Sequence, residues 1–296
     1  MIKKYFPLLI ILSIPFLSGK CPPDFRPEIK NIICLVDFSN SLEERQMLSY
    51  AEGIKTILYA MGPEDRLIVY PIDGGSITDR VAIVYEDFRS ATNTMGVTFK
   101  HLNLPDSISP PFKKKGEDAF TAASRKQKRL DGYVKVIAPM IVRRLDSLKQ
   151  VRRPYGRETD IFSAIYSVKD DMVKQKEKSM ISGEDNVNYL VIFSDLVQES
   201  ELANFNTKKG IQHSEFQPLF TSLREKKLLC NLQQAKVVVY DSYSTSIVSQ
   251  SPMAKINVRN FWEEYFSDTT INVYQHQMKY FNTTTMDELY NVIKTY

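Results

Sequence analysis

The chain has 296 residues, 43% of them hydrophobic, and can bury one large α/β core or two modest ones. No Gly/Ser- or Pro-rich linker divides it, so one domain with insertions is expected. Its three cysteines (Cys21, Cys34, Cys230) and three histidines (His101, His213, His276) lie far apart with no metal-type spacing, which argues against zinc.

At the N-terminus Lys3 and Lys4 precede an apolar segment, Tyr5 to Leu17, followed by the small residues Ser18 and Gly19. This is the layout of a secretory signal over 1–21. Its apolar part is about 13 residues long, short of the roughly 20 a spanning helix needs. Leu17-Ser18-Gly19-Lys20-Cys21 resembles a bacterial lipobox, with Cys21 as the lipidated residue, although Lys20 stands where that motif takes a small residue. An uncleaved anchor is the alternative. Every one of these readings exports the rest of the chain, to the periplasm or the cell surface.

Asn31 to Asp37 is nearly continuous in apolar character, as a strand buried on both faces would be, and Cys34 reads as a small core residue within it. A helix is expected from Leu42 to Met61, stopped by Gly62-Pro63. Strands at Arg66 to Asp73 and Arg80 to Tyr85 flank the turn Asp73-Gly74-Gly75-Ser76, a hairpin pattern. Residues 86–158 read as an insertion: a Pro-containing stretch to 116, then helix from Glu117 to Gln150, split or kinked at Gly132 and Pro139. Helix is expected again from Thr159 to Lys178, strand from Asn188 to Asp195 and helix from Phe216 to Leu229. Strand Lys236 to Tyr240, helix Val258 to Phe266 and strand Thr270 to Tyr274 follow, and Thr285-x-x-Glu288 is a capping box for a terminal helix. The pattern is α/β: a doubly wound, mostly parallel Rossmann-like sheet with helices on both faces and its sites at the carboxyl ends of strands.

Two of those strand ends carry carboxylates. Asp37-Phe38-Ser39-Asn40-Ser41 offers one carboxylate and two hydroxyls from one loop, Thr159 a hydroxyl from a second, and Asp195 a carboxylate from a third. An all-oxygen set suits a hard cation, Mg²⁺ or Mn²⁺, and neutral hydroxyls fill positions without cancelling its charge. Taken singly, each residue has a plainer role: Ser41-Leu42-Glu43-Glu44 is a capping box, Thr159 an N-cap, Asp195 a turn residue.

The ordered set resembles the metal-ion-dependent adhesion site of the von Willebrand factor A domain. The resemblance covers about 28–276, leaves 277–296 as a C-terminal helical extension, and includes Phe261-Trp262-Glu263-Glu264-Tyr265-Phe266, similar to a late helix of bacterial members. It implies a sheet with one antiparallel edge strand, and a non-enzymatic module capturing an acidic side chain of a protein partner through Mg²⁺. One departure is Leu196 directly after Asp195, where many members have Gly. Two other functions stay open. A phosphotransferase of the haloacid-dehalogenase type would also place Asp37 after its first strand, but needs a second Asp where Ser39 stands. A scaffold could keep the fold with a metal-free site.

Charge is segregated. From Lys113 to Arg157, 14 Lys/Arg face 4 Asp/Glu, a net +10; without Lys3, Lys4 and Lys20 the rest of the chain is about −9. Phe120 is the one aromatic residue within the cluster at 113–129, too few to form a stacking platform, which disfavours nucleic acid, as does export. The segment reads as a solvated helix face or as a surface that steers an acidic partner towards Thr159.

Overall fold

The computed structural model describes residues 28–40, 42–88, 119–182, 185–241, 246–282 and 285–294. The expected signal segment, Cys21 and Ser41 lie outside the described residues, as does the Pro-containing stretch 89–118. Six strands form one sheet: β1 (Ile29–Asp37), β2 (Arg66–Ile72), β3 (Val84–Asp87), β4 (Asn186–Phe193), β5 (Ala235–Asp241) and β6 (Val273–Asn282). Their order is β3-β2-β1-β4-β5-β6. Every neighbouring pair is parallel except β2–β3, so the expected antiparallel edge strand is present.

Burial on both faces explains the apolar run of β1. Ile32, Cys34 and Val36 join the core on one face, Ile33 and Leu35 the core on the other. The first core is covered by α1 (Glu44–Ala60), α2 (Ala119–Arg152) and α7 (Met286–Lys294), the second by α3 (Ile161–Ser167), α4 (Lys169–Ser182), α5 (His213–Glu225) and α6 (Pro252–Ser267). Cys34 and Cys230 are buried free thiols in opposite cores, and burial pushes both thiol pKa values up.

Several boundaries moved for physical reasons. The edge strand starts at Val84 rather than Arg80; the Arg80 guanidinium bonds to Asp171 and the Ser167 carbonyl and stacks on Tyr70 of β2. α1 begins at Glu44, and the cap is Glu43, whose N–H donates to Gln46 Oε1 at 2.9 Å. The helix expected from Thr159 is two, α3 and α4, meeting at Val168. α2 runs unbroken through Gly132 and Pro139, its Leu130, Val134, Ile137, Ile141 and Leu145 buried in the core it shares with α1. Residues 119–152 therefore cover the sheet. β6 continues to Asn282, with left-handed residues at Gln275 and His276, and Leu289 and Ile293 of α7 pack in the same core. The Thr285 hydroxyl turns back to that strand, accepting from Asn282 N at 3.0 Å.

Candidate metal site at the sheet edge

The strand order reverses between β1 and β4, and an open α/β sheet has room for a ligand outside the carboxyl ends of such strands. Asp37 ends β1, and Asp195 lies just beyond the end of β4. A cavity of about 20 Å³ opens there, lined by Asp37, Ser39, Thr159 and Asp195, with Gln46 and Glu199. Such a cavity has room for one water-sized species. Four of the five residues singled out in the sequence thus meet at one place, from three loops.

Side-chain turns aim these carboxylates. Asp37 Oδ1 accepts from Ser39 N at 2.8 Å, an Asx-turn that bends the chain as it leaves the strand. Asp195 Oδ1 accepts from Val197 N at 3.1 Å in the same way. Between them, Leu196 sits at φ 63°, in the left-handed region where glycine is favoured. The Leu196 side chain is buried, and its carbonyl accepts from Trp262 Nε1 at 2.9 Å. The departure from Gly is therefore strained at the backbone and anchored by packing.

Thr159 does not open a helix. Its backbone pairs in both directions with Glu199, at 2.9 and 3.0 Å, and the cap of α3 is Asp160, whose Oδ1 accepts from Ser163 N at 3.2 Å. Buried Gln198 locks this arrangement: its Oε1 accepts from Ile161 N at 2.8 Å, and its Nε2 donates to Asp160 Oδ1 at 3.1 Å. The loop before Thr159 is pinned as well. Asn40 N donates to the Gly156 carbonyl at 2.7 Å, and a Cβ on Gly156 would fall 2.6 Å from Asn40 Oδ1. Only glycine lets the two loops approach so closely. At the base of that loop buried Arg152 clasps Asp73 through two bonds of 2.7 and 2.8 Å and stacks on Tyr155.

Electrostatics follow from burial. Asp37 is pushed up to about 7, chiefly by burial and then by the Asp195 carboxylate; hydrogen bonds from Ser39 pull it down, and Glu199 pushes it up further. Next to this cavity lies one of about 30 Å³ that shares Asp195 and is lined by Asp241, Tyr280, Lys255 and Arg259. Asp241 is likewise pushed up to about 7 by burial, against a 2.5 Å hydrogen bond from Tyr280 and with Asp195 adding to the rise. Glu199, Gln198 and Asp241 escaped the sequence reading. Asp241 at the end of an apolar strand carried the same signal as Asp37, whereas Glu199 gains its role only by pairing with Thr159 and Gln198 by bonding to Asp160 and Ile161.

The residues present fit a hard cation: carboxylates and hydroxyls, with the amides of Gln46 and Asn206, make the polar part of the cavity without His or Cys, and two carboxylates there raise the cost of charge on Asp37. Among the described residues no three His, Cys, Asp or Glu gather as a metal cluster, so hydroxyls would have to complete any coordination.

Fold and site together define a doubly wound α/β domain with an oxygen-lined crevice at its strand-order reversal. No family model matches the chain, and no curated protein matches it in sequence. Solved structures align at low similarity. Proximal thread matrix protein 1 from the mussel byssus has a TM-score of 0.38 and 11% identity over 91% of this chain, which spans 48% of that protein. Manganese-loaded TRAP protein from Plasmodium vivax has a TM-score of 0.38 and 10% identity, covering 91% of this chain and 74% of that one. The pilus adhesin SpaC from Lactobacillus rhamnosus GG, in an open conformation, has a TM-score of 0.41 and 12% identity, covering 90% and 29%.

Proposed function

We propose that the chain is an exported protein-binding module of the von Willebrand factor A type, working at the cell envelope and holding Mg²⁺ or Mn²⁺ through Asp37, Ser39, Ser41, Thr159 and Asp195. The observation that carries this reading is the cavity that Asp37, Ser39, Thr159 and Asp195 line together from three loops. Bound there, the cation would supply an electrophilic position for the carboxylate of a partner's Asp or Glu. The chain's own residues do the rest. Asp37 and Asp195 bring the negative charge, held in aim by their Asx-turns, and Ser39 and Thr159 present buried hydroxyls on loops fixed by Gly156 and Gln198. This is a binding device, with the membrane reached through the N-terminal segment; among the described residues no helix is long and apolar enough to cross a membrane.

Titration calorimetry with Mg²⁺ and Mn²⁺ tests the reading. Wild type is expected to bind one cation and Asp37→Ala to lose it, because a hard-ion site depends on its carboxylates. Identical, metal-free behaviour of the two proteins would refute the site.

A further inference from the structure

A groove of about 600 Å³ runs between α1 and α2 from Asn40, the residue after Ser39, down to Ala51 and Val142. Pockets of this size take several side chains at once. Its floor is apolar: Met47, Leu48 and Ala51 lie at helical spacing on α1, and Val142 faces them from α2. Leu48 is 55% exposed, more than the other exposed large apolar residue of α1, Tyr59 at 43%. Arg143 and Lys149 of α2, and Arg153 directly after it, line the groove, with Asp146 and Glu44 as its acidic members. Among the described residues neither Arg143 nor Arg153 is in an ion pair, and both are exposed.

We propose that this groove holds an acidic, apolar-centred segment of the protein partner, with the Asn40 end of the groove directing one of its carboxylates towards the Asp37 site. The proposal rests on the metal-site reading for that last contact and extends it with a specificity surface. Chemistry and spacing identify the occupant. Guanidinium groups match carboxylates in a bidentate geometry, so Arg143 and Arg153 select Asp or Glu. Ten residues separate them, helical as far as Arg152, a distance of about 15 Å at the helical rise. An extended peptide covers that distance in about four to five residues. The ligand is therefore a stretch with two acidic residues at about that spacing and a Leu-, Ile- or Phe-type side chain between them, seated on Met47, Leu48 and Val142. Part of the basic bias of 113–157 thereby gains a target, while Arg152 is spent on Asp73.

A dodecapeptide library displayed on phage and panned on the full chain in Mg²⁺ is the probe. The recovered peptides are expected to share the acidic–apolar–acidic pattern. The double variant Arg143→Glu/Arg153→Glu should bind them about tenfold more weakly at unchanged thermal stability, since both residues are exposed. Leu48→Glu should weaken them too. Recovered peptides without acidic enrichment, peptides that bind the double variant as tightly as wild type, or an empty selection would overturn the groove. Asp37→Ala separates the two readings. If it binds the peptides as wild type does, in Mg²⁺ and in chelator alike, the metal site fails while the loss in the arginine variant still establishes the groove.

Discussion

Leu196 sets two sizeable effects against each other within one residue, and substitution can separate them. Its φ of 63° costs a branched residue about 1–2 kcal/mol relative to glycine. Its side chain is buried in the core beside Trp262, and removing a buried leucine side chain typically costs about 2–5 kcal/mol, cavity included. Leu196→Ala removes the packing and keeps the strain. Leu196→Gly removes both, but gives the unfolded chain extra freedom worth about 0.5–1 kcal/mol. Burial wins, so both variants are less stable than wild type. Gly should exceed Ala by about 0.5–1 kcal/mol, the reverse of their order at an ordinary helical or extended position. Urea denaturation at equal m-values measures this, and a loss of about 3 kcal/mol lowers the melting temperature by roughly 6–12 °C in a domain of this size. Ala matching or exceeding Gly would refute the left-handed backbone at Leu196. Gly exceeding wild type would refute the claim that packing outweighs strain.

Asp65 should impose a pH dependence on stability that has nothing to do with the sheet edge. Burial pushes it up to about 6, with Lys30 and two backbone N–H groups pulling it down, so the folded chain keeps a proton that the unfolded chain releases near pH 3.8. Its contribution is complete below that value and is lost as pH rises to about 6, so Asp65→Asn should flatten the melting temperature between pH 4 and 6; an unchanged slope by scanning calorimetry would contradict it. Arg152→Leu leaves Asp73 buried without its partner and should cost about 3–5 kcal/mol in chemical denaturation, with Asp73→Asn added to it restoring a good part. Trp262→Phe leaves the buried Leu196 carbonyl without the indole N–H and should cost about 1–3 kcal/mol. Trp262 is the sole tryptophan, so far-ultraviolet circular dichroism has to read that transition.

The sheet was legible because burial on both faces leaves a plain mark: β1, β4 and β5 read as unbroken apolar runs, and their neighbours in space follow from the alternation with helices. The edges were less so. At β3 the strand begins only at Val84, four residues after Arg80, whose side chain is tied to Asp171, and no local pattern encodes a partner that distant. The run through Pro139 in α2 shows the same limit from the other side, since burial against α1 overrides a residue that locally breaks helices.

The site shows most plainly which part of an argument a sequence can hold. Asp37, Asp73 and Asp195 all follow apolar strands, and all three fold back on the N–H two residues later, at 2.8, 2.8 and 3.1 Å. Locally they are the same device. What separates them is the charge each meets in space. Asp73 is enclosed by Arg152, whose guanidinium takes both carboxylate oxygens, so it serves as the anchor of the loop leading to Thr159. Asp37 meets Asp195 and Glu199 instead, and that repulsion is what a cation between the loops would relieve. An apolar run ending in Asp predicts the turn; the identity of the facing charge, 79 residues away in one case, decides whether the turn is a brace or leaves its carboxylate against other carboxylates.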